Sequence, residues 1–192
     1  RQYFLDAQRY EPQARDRFVS LYLGSNAALC ALRCGNKQDA RRRADATLQA
    51  LLSTPSFGNS VADAVAPLVE TYFLLWSERQ HDPEGSALHL RLRQSLAAFR
   101  GMAAVFPICR PRALLWHGLY AERLGYSRIG DWLLERAREA AQRYRMPFDL
   151  GLAYLAQSEL AHSRGQRATA QEAWQQARAL LEQVEAHYYV GL

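Results

Sequence analysis

Gly125 and Gly165 stand forty residues apart, and the chain around each reads in the same register. Superposed on them, Gly118 falls over Ser158, Gly130 over Ala170, Leu134 over Trp174 and Ala137 over Ala177. Each block has a small residue, a turn glycine, then small, large and small. Apolar residues around them recur three and four apart, the period of one helix face, and strand-like alternation is nearly absent. A glycine inside a helix costs roughly 1 kcal/mol against alanine. Gly118 and Gly130 are therefore expected where two helices cross too closely for a side chain. Gly125 is expected as the left-handed turn between those helices. The fold class that follows is all-α, built from helical hairpins.

Proline, glycine and cap residues divide the chain into four antiparallel pairs, at about 12–53, 60–105, 107–145 and 147–186. Glu11-Pro12 opens the first pair, because proline fits the first helical turn. Gly35 ends its first helix, and Asn36 with Asp39 has capping-box spacing. Ala28, Ala40, Ala44 and Thr47 repeat the glycine register there. Ser53 to Asn59 reads as a loop, and Ser60 with Asp63 opens the next helix. Pro67 should kink that helix or delay its start. The second pair turns near His81-Asp82 and fits the period loosely. Asp82-Pro83-Glu84, Pro107 with Pro111, and Met146-Pro147 start later helices. Tyr188-Tyr189-Val190-Gly191-Leu192 reads as the start of a ninth helix, apolar and unpaired within the chain, which raises the expectation of self-association.

Charge excludes several partners. Of 24 basic residues only Lys37 is lysine, and the net charge is +5. The arginines alternate with acids, as in Glu135-Arg136-Ala137-Arg138-Glu139, whereas a nucleic-acid binder concentrates them on one stripe. The dense run Lys37 to Arg43 reads as a solvated helix face, and so do Glu135, Arg138 and Glu139. No apolar run approaches the roughly 18 residues of a membrane span. Cys30, Cys34 and Cys109 read as buried free thiols, which fits a reducing compartment, the cytoplasm. The chain starts at Arg1 rather than methionine, as expected of a piece of a longer protein.

The small–glycine–small–large–small spacing resembles the tetratricopeptide repeat, closely over residues 111–145 and 147–186 and less so over 18–53 and 60–105. The period of about 40 instead of 34 is more similar to extended repeats in large bacterial signalling proteins. Those include arrays behind nucleotide-cyclase or protein-kinase modules and ATP-dependent transcription regulators of the maltose-activator type. The resemblance implies one repeat domain, residues 1–192, wound as a right-handed superhelix (an α-solenoid). It implies a protein-interaction or regulatory role in signal transduction, with another domain of the parent chain, a protein or a peptide as partner. The alternative is a sensor that holds a small signal molecule on the concave helical surface.

No catalytic set, metal site or cofactor is expected. A glycine-rich phosphate loop with its lysine is missing, so any nucleotide-binding module would lie outside these residues. None of His81, His89, His117, His162 and His187 pairs with another at metal spacing, and His117 falls on a packed face. By analogy with the repeat, the first helix of each pair lines a groove. Its facing positions are Tyr22, Asn26 and Arg33, then Tyr72, Trp76 and Arg79, then Arg112, Trp116 and Arg123, then Glu159 and His162. Trp174 is expected in the core.

Overall fold

The structure is a computed structural model that describes residues 17–53, 62–80 and 82–191. Among the described residues every regular element is helical. Eight α-helices follow one another: α1 Arg17–Arg33, α2 Lys37–Leu52, α3 Ala62–Glu78, α4 Pro83–Val105, α5 Arg110–Arg123, α6 Ser127–Arg143, α7 Pro147–Ser163 and α8 Arg167–Gln183. Short 3-10 turns occur at Pro107–Cys109 and His187–Val190. The expected helix start at Pro12, the Thr54–Asn59 stretch, Ser60 and His81 lie outside the described residues. No described helix is long and apolar enough to cross a membrane.

The chain forms two compact units that meet in sequence between Cys109 and Arg110. In the first, α1 packs on α2 and α3 on α4, while α3 also lies against α1 and α2. In the second, α5 packs on α6 and α7 on α8, while α7 lies against α5 and α6. The same neighbour relations in both units are compatible with a helical repeat.

The turns explain the glycines. Gly35, Gly125 and Gly165 have φ of +82°, +85° and +75°. The Tyr126 N–H donates to the Ala121 carbonyl at 3.0 Å and the Gly125 N–H to that of Glu122 at 2.9 Å, a Schellman end. The same long backbone bond runs from Asn36 to Ala31, Met146 to Ala141, Gln166 to Ala161 and Ala186 to Leu181. Two of these turns have no glycine: Arg145 at φ +54° and Glu185 at φ +58° take the left-handed place. In the second unit such residues recur every twenty positions, so the forty-residue period is two helix-and-turn units.

The crossings follow the expected register. A Cβ on Gly118 would lie 2.9 Å from Leu134 Cγ and 3.2 Å from the Gly130 carbonyl oxygen. In the last pair the Ser158 hydroxyl donates to the Ala170 carbonyl at 2.8 Å. Leu115, Leu134, Ala137, Leu152, Ala156, Ala177 and Leu181 form the second unit's core. Trp174, expected inside it, is only half-buried. At the second pair's turn, a Cβ on Gly85 would meet the Arg79 carbonyl oxygen at 2.1 Å, so no side chain fits there.

Pro67 lies inside α3, where it was expected. Other expectations are corrected. The Asn36 side chain accepts the Asp39 N–H at 3.1 Å, but the Asp39 carboxylate pairs with Arg42 and Arg43 and does not close a box. Cys109 is buried, Cys30 is partly buried and Cys34 is exposed. Residues 187–190 make a 3-10 turn, not a ninth α-helix, and Tyr189 packs edge-on against Phe148 at 5.7 Å. The seam is apolar, so burial draws the tyrosine back onto its own unit.

Candidate functional site

In the second unit a cleft of about 730 Å³ opens between α6 and α8, with α7 as its floor. Helical periodicity builds it. Tyr154, Gln157, Leu160, Ala161 and Arg164 recur three to four apart and share one face of α7. Asp131, Leu134 and Glu135 form the α6 wall, and Thr169, Glu172, Ala173 and Gln176 the α8 wall.

Ion pairs fix its polar groups. Two guanidinium bonds run from Arg138 to Glu135, one of them at 3.0 Å from Nε, and the Gln157 amide donates to the same carboxylate at 3.3 Å. These bonds, chiefly those from Arg138, hold the Glu135 carboxyl below its ordinary range. The Arg138 guanidinium also lies 5.9 Å from the Tyr154 ring centre. Arg164 bridges Asp131 at 2.8 Å and Glu122 at 3.0 Å. Held ionised by its bonds, the Glu135 carboxylate accepts hydrogen bonds well and is a poor proton donor. Glu135 thus belongs to a cleft wall, and its partner Arg138 is half-buried, so neither lies on the freely solvated face expected of them. Besides their own pairing along α6, Glu135 meets Gln157 and Arg138 meets the Tyr154 ring, both from α7.

A second feature lies on α6 away from its packed face. Gly130, Leu134, Ala137 and Ala141 are buried. Trp132 and Ile129 point elsewhere and are 60% and 53% exposed. The Arg136 guanidinium lies 6.0 Å from the Trp132 ring centre. Arg128, Trp132, Arg136, Glu139 and Arg143 recur at intervals of four, four, three and four, so they form one exposed stripe.

The expected groove residues scatter. Tyr22 is exposed, and the Asn26 side chain is tied to the Tyr22 carbonyl at 2.8 Å. Arg33 bridges to Glu70 at 2.6 Å, joining α1 to α3. Tyr72 and Trp76 were expected to face a groove, but they are 0% and 4% exposed. The Tyr72 hydroxyl donates to Asp45 at 2.8 Å, and Trp76 stacks on His89 at 4.9 Å. Burial, with some help from Asp45, pushes the Tyr72 hydroxyl pKa far up. Arg79 is paired with Glu84 across the α3–α4 turn. In the second unit Trp116, at 8% exposure, is also interior. Arg112 bonds the buried Asp149 carboxylate at 2.6 Å and lies over Phe148, so it ties α5 to α7. Arg123, Glu159 and His162 are exposed. Glu159 is exposed by area, yet local desolvation pushes its carboxyl up from the ordinary value. The aromatics moved inside because a first helix packs against its own partner and its neighbour's first helix. That leaves a narrower free face than the repeat analogy allowed. His117, on its packed face as expected, is half-buried, with Nδ1 2.8 Å from the Ala113 carbonyl.

Trp132 and Ile129 are not among the groove positions expected from the sequence, although a signal existed. The small and large packing residues Gly130, Leu134 and Ala137 define the buried face of α6, and Trp132 is about 200° of helical turn from Leu134.

Compared with known protein families, with curated proteins and with solved structures, the chain matches none. Among the described residues no group of three or more histidine, cysteine and acidic side chains could hold a metal ion.

Proposed function

We propose that this chain is a non-catalytic helical-repeat domain, tetratricopeptide-like in its winding, that binds a protein or peptide partner within a larger cytoplasmic signalling or transcription-regulatory protein. The observation that carries the reading is the exposed α6 face, where Trp132 and Ile129 stand in solvent beside three arginines. Tryptophan and arginine dominate binding hot spots because they bury large areas while keeping a polar handle. Exposed apolar patches rimmed by polar residues mark interaction sites. The second unit's packing supports the reading, since helix hairpins with their own core can present such a face rigidly.

The test is selection of displayed helical and extended peptides on the immobilised chain. Binders that compete with one another and lose affinity on Trp132→Ser, with the melting transition unchanged, support the reading. A selection whose binders ignore Trp132 and Ile129 overturns it. A second reading, a small-molecule sensor, is favoured by the cleft volume, which falls in the range of roughly 300–1,000 Å³ that suits small ligands. A thermal-shift screen in which a metabolite stabilises the chain, and Tyr154→Ala abolishes the shift, would select that reading.

A further inference from the structure

We propose that the exposed α6 face docks an acidic amphipathic α-helix of another protein, with its carboxylates against Arg128, Arg136 and Arg143 and its apolar face against Ile129 and Trp132. This rests on the interaction reading above and names its partner's chemistry.

Charge is the first argument. The stripe carries three arginines and one glutamate, Glu139. Among the described residues only Arg136 pairs with that glutamate, at 3.8 Å. Arg128 and Arg143 make no ion pair among the described residues. They bracket Trp132 along about 22 Å of helix at 1.5 Å per residue. A partner with carboxylates seven to eight residues apart on one helical face meets all three.

Backbone bonding favours a helix. The α6 backbone is internally hydrogen-bonded, so it offers no edge to an extended peptide, whose N–H and C=O groups would lose water without gaining partners. A helical partner brings its own backbone bonds and packs its side-chain ridges into the grooves of α6. A second copy of this chain fits poorly. Two such faces oppose three arginines to three arginines, and like charges in contact are unfavourable.

The experiment uses the full chain and three synthetic 18-residue peptides. One has leucines on one face flanked by glutamates, one replaces those glutamates with lysines, and one is an extended, proline-interrupted form of the acidic sequence. Affinity is read by anisotropy of a fluorescein-labelled peptide at low and at roughly 300 mM salt. The acidic helix is expected to bind most tightly, to weaken with salt, and to lose at least tenfold on Trp132→Ser. Arg128→Glu combined with Arg143→Glu should lose the acidic helix and gain the basic one, a swap that a folding defect cannot produce. Equal binding of acidic and basic helices, or a preference for the extended form, overturns the proposal. So does a dimer in sedimentation that Trp132→Ser dissolves. Peptides that bind through the α6–α8 cleft, shown by loss on Tyr154→Ala and none on Trp132→Ser, refute the α6 assignment while leaving a peptide-binding role in place.

Discussion

Arg145 and Glu185 carry the backbone conformation that glycine carries at Gly125 and Gly165. A residue with a Cβ costs roughly 1–2 kcal/mol in that region, whereas glycine's flexibility in the unfolded chain offsets part of the gain. Arg145→Gly is therefore expected to stabilise the protein by up to about 1 kcal/mol, and Gly125→Ala to destabilise it by about as much. Urea midpoints of the two variants check this, and a loss on Arg145→Gly would show that the arginine makes up for its strain elsewhere. These sites also mark what was legible. Gly125 and Gly165 announced their turns because only glycine takes positive φ freely. Arg145 and Glu185 did not, because the turn there is held by backbone bonds, which leave no mark on residue type. At the helix crossing, Gly130 sits 3.2 Å from Glu122 Cβ and from the Gly118 carbonyl oxygen, measured from a hypothetical Cβ. Gly130→Leu should cost roughly 1–3 kcal/mol or more through overpacking. Arg143→Leu, on the exposed stripe, should stay within about 0.5 kcal/mol. Equal midpoint losses for the two would remove the crossing argument.

At the scale of the element, α6 shows how far periodicity reaches. Its buried face was readable because small and large residues alternate at packing distance along it. The ion pairs on its cleft side were not, because Glu135 is bonded by Gln157 of α7 as well as by its own Arg138. The inner helices α3 and α5 failed in the other direction: their aromatic stripes looked like a groove lining, and Tyr72, Trp76 and Trp116 are interior. An apolar stripe tells which face is buried, but not which neighbour buries it. The Glu135 pair has a pH signature. Its folded-state value is depressed, so its contribution is present above the unfolded glutamate pKa of about 4.3. It is lost as pH falls through the lower folded value. Since Glu135 is nearly half exposed, about 0.5 kcal/mol or less is expected. The difference in melting temperature between the parent chain and Glu135→Gln should thus be largest at neutral pH and vanish in strong acid. A difference that grows with acidity would contradict the direction.

For the molecule as a whole, the two compact units make stability a local property. Leu115, Leu134, Leu152 and Leu181 close one core without any residue before Arg110, and helical repeats gain stability mainly from their own interior and adjacent interfaces. Trp116 belongs to that second unit and Tyr72 to the first. Trp116→Ala should cost roughly 3–5 kcal/mol, as for a large buried aromatic. Tyr72→Phe removes only the hydroxyl bond to Asp45 and should cost about 1 kcal/mol. The units should also register these losses separately. Hydrogen exchange followed by mass spectrometry reads this out: Trp116→Ala should speed exchange in α5 to α8, and Tyr72→Phe in α1 to α4. A fragment starting at Arg110 should then melt cooperatively with high helicity, because its core residues, its Schellman turns and the Arg112–Asp149 pair all lie within it. Uniform acceleration of exchange across all eight helices by either substitution, together with a fragment that stays unfolded, would mean that the chain unfolds as one cooperative body and that the division at Cys109 carries no energetic weight.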